Sequence, residues 1–573
     1  MARLSQSIAI LTKLQVSCIF ILLTTVIPNV EARTHNLTWK VTYEYKYLDC
    51  FKKLAIAING QTPGPHIKAT RGDTIIVTVL NNLLMENVAI HWHGIRQLGN
   101  GWNDGTDSVN QCAAMPGGYF TYQFVVDQAG TYMYHSHYGM QKSSGLYGLI
   151  TVNPLLGEET PYHYEDREIV LSDWYHDSAY ENAVKLSSKP YVWIGEPQSL
   201  LINGRGRYQC ELLGVSNRDQ CNGSSPECTP DVVKVKPKQT YRFRIASLTS
   251  LSALSFQIEG HKMTVVETDG VHVVPFVTDN LYIYSGETYS VLVTTDQNHS
   301  RNYGISINVI ARKPETPNGF AILNYEPNPL DAQHLPQPPP GPLWNDTDSQ
   351  RNQSLAIKGL RGYVPAPPKT ADKVLHLLNT QNTVNGYKVW AVSNVSHALP
   401  DTPYLVALKL NIPDVFDPTP APEDYDHSYN IYEIPENTNA TTSTSIYRLP
   451  FNKTVDIILQ NAKGMGGDSE THPWHLHGHN FWVLGFGKGK FNPSTASLNL
   501  ENPIMKNTVP LFPYGWTALR FRTDNPGIWL FHCHIEAHFY LGMLVLFESG
   551  SDMVTKPPQQ NMGCGKTKNY INP

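Results

Sequence analysis

Residues 531–543 read FHCHIEAHFYLGM, and three side-chain types in them are metal donors. His532 and His534 flank Cys533, His538 follows the thiol by five positions, and Met543 follows it by ten. Upstream, the segment HPWHLHGH (472–479) supplies His472. Together His472, Cys533 and His538 make a His₂Cys set, with Met543 available as a weak axial fourth ligand. That combination is the one used by electron-transfer copper sites, where thiolate and thioether set the potential. Structural zinc would take four close ligands instead.

Four separate H-x-H pairs occur in the chain, His91/His93, His135/His137, His475/His477 and His532/His534, with His479 overlapping the third. Residues two apart on a strand share a face, so each pair can aim two imidazoles at one place. A lone pair is commonly two solvated strand histidines; four pairs in one chain are not accounted for that way. If residues 532–534 are extended, Cys533 faces one side and His532 and His534 the other, so one tripeptide joins two metal sites across about 10 Å. If the four strands converge, the eight imidazoles would serve three coppers as three, three and two. With the thiolate copper this makes four one-electron centres, the number of electrons that takes O₂ to two waters.

Such donors need rigid strands behind them. Short β-type runs separated by Gly, Pro and Asn dominate the chain, and three of them, DTIIVTVLNN, TYRFRIASLT and TVDIILQNA, each precede a histidine-containing segment. This internal repeat predicts three β-sandwich domains. The ends of the first and third repeats, DQAGTYMYHSHYGM and DNPGIWLFHCHIEAH, match in order, with Ser136 standing where the third has Cys533. The middle repeat offers only His261, read as a structural histidine. Composition places domains at 33–155, 160–330 and 365–555, with a Pro-rich linker at 331–364 and a tail at 556–573.

Residues 1–32 have basic residues, an apolar run from Val16 to Ile27 and a Val30-Glu31-Ala32 end, and are read as a signal peptide, too short in the apolar part to span a membrane. Eight N-x-[ST] sequons agree with a secreted chain. The net charge of −5, with no basic cluster, excludes nucleic acid and anionic membrane surfaces as partners. Seven cysteines remain after Cys18 leaves with the signal; six can pair in an oxidising compartment, and Cys533, set between histidines, is the candidate free thiol.

The segments IHWHGI, HSHYGMQKSSGLYG, SSKPYVWIGEPQ, THPWHLHGHNFWVLG and FPYGWTALRF, in this order, resemble those of the multicopper oxidases, and among these the ascorbate oxidases of plants. The resemblance implies an all-β chain of three cupredoxin-like Greek-key β-sandwich domains and four copper ions. By motif, His91 and His475 would hold the type 2 copper, and His93, His135, His137, His477, His532 and His534 the type 3 pair. His472, Cys533, His538 and Met543 would hold type 1, while His479 is left outside the ligand set. Asp104 and Glu536 would carry protons to the cluster. Trp193 and Trp390 would hold a small planar reductant against an exposed His538, and the disulfides would be Cys50–Cys228, Cys112–Cys564 and Cys210–Cys221. The implied activity is extracellular (apoplast or cell wall) oxidation of ascorbate, or a similar small reductant, by O₂, in a homodimer. A laccase-type phenol oxidase, a metal-ion oxidase and a non-catalytic cell-wall protein are the alternatives, the last disfavoured because all twelve ligand positions are filled. Ala537, where the family usually has proline, and the FYLGM loop depart from the family beside type 1; Ser136 replaces a usual glycine.

Overall fold

The computed structural model describes residues 32–158, 160–213, 219–330, 335–434 and 440–571. The signal peptide expected at 1–32 lies, but for its last residue, outside the described residues. No described helix is long and apolar enough to cross a membrane.

Six sheets form three sandwiches. Strands between Thr34 and Asn153 make two four-stranded sheets, strands between Glu165 and Tyr325 a six- and a five-stranded sheet, and strands between Lys373 and Ser549 an eight- and a five-stranded sheet. Alternation builds them: in Thr74–Asn81 every second residue is buried, which puts Ile75, Val77 and Val79 in one core with Ile90, Trp92 and Ile150 of the facing sheet. Each such apolar side chain contributes roughly 1.5–3 kcal/mol by leaving water.

The three repeated runs are the same strand three times over. Thr74–Asn81 pairs in parallel with Thr34–Lys46, Thr240–Ser247 with Glu165–Trp174, and Thr454–Asn461 with Lys373–Val384. Parallel neighbours cannot be joined by a tight hairpin, so the chain crosses between sheets in each domain. The segment expected as a linker is more ordered than its prolines imply: it carries the helix Thr347–Ala356, begun by the Asp346 side chain accepting from the Ser349 N–H.

All three disulfides join the cysteines that the resemblance paired, and Cys533 is free and buried. Cys112–Cys564 fastens the tail to the first sandwich. Seven sequon asparagines, Asn36, Asn222, Asn298, Asn345, Asn352, Asn394 and Asn452, are exposed, and Asn439 lies outside the described residues.

Candidate metal centre

Two strand pairs, one from the first sandwich and one from the third, carry the histidines. Ile90–His93 lies antiparallel to Gly130–Ser136 with His91 opposite His135. His472–Leu476 lies antiparallel to Gly527–Cys533 with His475 opposite His532 and Trp474 opposite Cys533. Buried donor atoms converge in groups: His91, His93 and His475; His93, His135 and His534; His137, His477 and His532; and His472, Cys533 and His538. The H-x-H pairs do not all aim both imidazoles at one place. His135 and His137 go to different groups, as do His532 and His534. Strand residues two apart are separated by about 6.6 Å, whereas ligands at about 2 Å from one ion lie within about 4 Å of each other. Three of the four pairs therefore span two neighbouring groups, while His91 and His93 share the first.

The hydrogen bonds decide which ring nitrogens face inward. His91 Nδ1 lies 2.8 Å from the Asp104 carbonyl and His475 Nδ1 2.8 Å from the Asn507 carbonyl. A carbonyl only accepts, so both rings carry the proton on Nδ1 and point bare Nε2 lone pairs at each other, 3.4 Å apart. His532 Nδ1 donates to the Cys533 carbonyl and His477 Nδ1 to the Asp104 carboxylate, and their Nε2 atoms face at 3.1 Å. Facing lone pairs with no proton between them repel unless a cation sits there, so the residues fit metal ions. His93 is turned the other way: its Nε2 meets Thr508 Oγ1 at 3.1 Å and its buried Nδ1 has no protein partner. Burial, reinforced by neighbouring imidazoles, lowers the pKa of His93, His135, His137, His475, His477, His532 and His534 far below the ordinary value, keeping them in the neutral form a metal binds.

On the other face of the same strand, Cys533 Sγ lies 3.8 Å from His472 Nδ1 and 3.7 Å from His538 Nδ1, which are 3.2 Å from each other. Met543 is fully buried, and its carbonyl accepts from the Cys533 N–H. The return between them is a helical turn, Glu536–Tyr540, rather than a tight loop. Burial pushes the Cys533 thiol up, so a metal must displace its proton. His538 is not exposed as the resemblance implies: only 2% of it reaches solvent, because Trp390 packs on its ring at 4.7 Å and Glu470 Oε2 lies 3.4 Å from its Nε2.

Three segments of the chain, residues 40–156, 165–328 and 408–552, match the multicopper oxidase family. An L-ascorbate oxidase of Cucumis sativus is 50% identical over 542 residues, covering 93% of this chain and 92% of the relative. The chain belongs to the multicopper oxidase family. It is also similar to an L-ascorbate oxidase of Brassica rapa subsp. pekinensis, 48% identical over 94% of this chain and 96% of the relative, and to Laccase-22 of Oryza sativa subsp. japonica, 34% identical over 90% and 92%. Among solved structures, a laccase from Botrytis aclada superposes with a TM-score of 0.72 at 27% identity, covering 91% of this chain and 89% of that one. As a multicopper oxidase the chain is a copper-dependent, O₂-reducing enzyme, and its clusters are of the type 1, type 2 and type 3 kinds, four coppers in all.

Around these clusters the multicopper oxidase places both expected acids in buried positions. Asp104, 1% exposed, receives hydrogen bonds from His477 Nδ1 (2.9 Å) and Thr106 Oγ1 (2.7 Å). Burial alone would raise its pKa, but His91, the Thr106 hydroxyl and His137 outweigh it and hold the carboxyl below its ordinary value. Glu536, 7% exposed, accepts from the Lys142 and Ser143 N–H groups at 2.8 and 2.9 Å. Burial raises its pKa despite Lys142 and those two N–H groups. With His135, His137, His532 and His534 it lines a cavity of about 20 Å³, room for about one water-sized molecule. His479 Nδ1 reaches the His477 carbonyl, behind the ligands.

Trp193 is half-buried beside Arg312, whose guanidinium carbon is 5.8 Å from its ring centre. Arg312 in turn bonds Glu196 and Glu470 at 2.9 Å, so Trp193 is linked to His538 through two charged residues. Several participants escaped the sequence reading. Lys142 Nζ lies 3.0 Å from the His534 carbonyl, Ser285 Oγ 2.8 Å from His534 Nδ1, and Thr508 Oγ1 3.1 Å from both His93 Nε2 and His475 Nδ1. Lys142 had a signal, since it follows His135-Ser136-His137 by five residues in HSHYGMQKSSGLYG. Ser285 and Arg312 come from the middle domain, which bears no ligands, and had none.

Proposed function

We propose that this enzyme oxidises ascorbate one electron at a time and reduces O₂ to water, four ascorbate oxidations and four protons per O₂. The assignment of residues is the one the family motifs imply, and the grouping of the donors supports it: His91 and His475 for type 2, His93, His135 and His534 with His137, His477 and His532 for the type 3 pair, and His472, Cys533, His538 and Met543 for type 1. Bound there, copper supplies the one-electron redox capacity and the O₂ chemistry. The polypeptide holds both ligand sets on consecutive residues, His532-Cys533-His534, so they are joined by covalent bonds, and this is the observation that carries the reading. Trp390 gives His538 an aromatic neighbour, and Trp193 with Arg312 walls the approach. Asp104 orients His477 and holds negative charge beside the cluster, and Glu536 stands at the small cavity where protons are consumed. Secretion is supported by three disulfides and seven exposed sequons. Ascorbate is favoured over phenols by the 50% identity to a cucumber L-ascorbate oxidase against 34% to the rice laccase.

Oxygen uptake by the copper-loaded protein given ascorbate, a phenol or ferrous ion tests it. Ascorbate is expected to be turned over fastest, with one O₂ consumed per four one-electron oxidations. A phenol or ferrous ion turned over faster would overturn the substrate assignment while leaving the copper centres standing.

A further inference from the structure

The middle sandwich contributes no ligand, yet two of its turns press against the histidine cluster. One turn contains Ser285 and Gly286. Ser285 Oγ is 2.8 Å from His534 Nδ1, and Gly286, at φ +87°, approaches so closely that a Cβ there would stand 2.9 Å from the same nitrogen and 3.1 Å from His93 Cε1. The other turn contains Asp269. Its Oδ2 accepts from the backbone N–H groups of Asn507 and Thr508, both at 3.2 Å. Those two residues are the ones that orient His475 and His93, through the Asn507 carbonyl and Thr508 Oγ1.

A buried charge joins the two turns. Lys506 Nζ lies 3.2 Å from Asp269 Oδ2 and 3.3 Å from Glu287 Oε1, with each side chain at most 4% exposed. Glu287 Oε2 accepts from the Tyr284 N–H and so closes the Ser285–Gly286 turn, while Asp269 Oδ1 accepts from the Thr288 N–H. An ammonium between two carboxyl groups in a buried interior is held only by good geometry, and removing it leaves those two buried groups side by side with no partner between them. The ion therefore resists any change in the relative position of the two turns.

We propose that Lys506, with Asp269 and Glu287, is a positioning residue for the cluster, locking the ligand-free middle domain against the groups that orient His475, His93 and His534. This rests on reading the His91–His475 pair as the type 2 copper site. The middle domain is thereby more than a spacer: it is the wall that fixes ring tautomer and ring angle for rings that Asp104 does not touch.

The test compares Lys506→Met and Lys506→Arg with the parent in the copper-loaded enzyme. Copper per chain, the visible band of the thiolate site, the electron-spin signal of the type 2 copper and O₂ turnover are read together. K506M is expected to keep the visible band, to shift or lose the type 2 signal, and to lower O₂ turnover at least tenfold, with K506R restoring part of both. Should K506M fail to accumulate, Asp269→Asn, which keeps side-chain volume, carries the same expectation. A type 2 signal and turnover within twofold of the parent in whichever variant folds would overturn the proposal, as would a loss shared equally by the visible band. A parent protein with no type 2 signal when fully loaded would instead sink the copper assignment on which it rests.

Discussion

Asp104→Asn separates the role of the cluster's buried acid from that of the thiolate site. In the parent, Asp104 Oδ2 receives His477 Nδ1 and Thr106 Oγ1, while Oδ1 faces His91 Nδ1 at 3.4 Å. An amide can put its oxygen on only one side. Facing His477 and Thr106, it keeps those two bonds but without the negative charge that strengthens them, and leaves a buried NH₂ with no acceptor; turned round, the NH₂ opposes both donors. Either way the charge-assisted bond to His477 is lost in a fully buried site. A charge-assisted hydrogen bond is worth about 1.5–3 kcal/mol, and at about 1.4 kcal/mol per factor of ten that is roughly 10- to 150-fold in the affinity or activity that His477 supports. Changes to groups that orient metal-bound histidines cost 10–100-fold, about the same size. The assay is O₂ consumption beside anaerobic bleaching of the visible thiolate band by ascorbate. D104N should lose roughly 10- to 100-fold in the first and keep the second, because Cys533 lies on the opposite face of the strand from His532. Turnover within twofold of the parent with all coppers bound would refute the tautomer argument, and parallel loss of both readouts would refute its locality.

Two further outcomes follow from the same geometry. Cys533→Ser removes the only described free thiol, so the visible band should vanish and ascorbate turnover fall to background while the eight cluster histidines still bind copper; metal analysis and oxygen uptake check this. Glu470 gives a pH dependence: burial works against its charge, but Arg312 and His538 outweigh that and bring its pKa from the ordinary 4.5 down to about 2. A lowered folded-state pKa contributes stability above the unfolded value and loses it as pH falls through the folded one. Glu470→Gln should therefore flatten the stability loss of the apoprotein between pH 4.5 and about 2 in acid melts, and an unchanged acid limb would show the Arg312 pairing to be without energetic consequence.

Period-two spacing made much of the site readable before any coordinates. On a strand, H-x-H must put both imidazoles on one side, and a residue between them must point to the other, so the two-sided character of His532-Cys533-His534 was legible from local geometry alone. The same holds for the three equivalent strands, whose alternating apolar residues face one core. Burial was not legible in this way. His538 is covered by Trp390, which lies on a strand about 150 residues away in the chain and reaches the ring only because the third sandwich folds that strand over it. Nor was the division of His135 from His137 and of His532 from His534 between donor groups, which depends on contacts between strand pairs of different domains.

By itself, then, the amino-acid order determined which atoms could bind metal, which face of each strand they occupy and how often the sandwich recurs, because these are consequences of covalent spacing and alternation. Only the tertiary structure decided which imidazoles come within reach of one another, which nitrogens of His91, His475, His477 and His532 are bare, and that Lys506, Asp269, Ser285 and Arg312 lie against them or their partners. Those choices are made by contacts of a few ångströms between residues hundreds of positions apart, in an interior where an unpaired charge or lone pair is too costly to leave unmatched, and no local pattern in the chain records them.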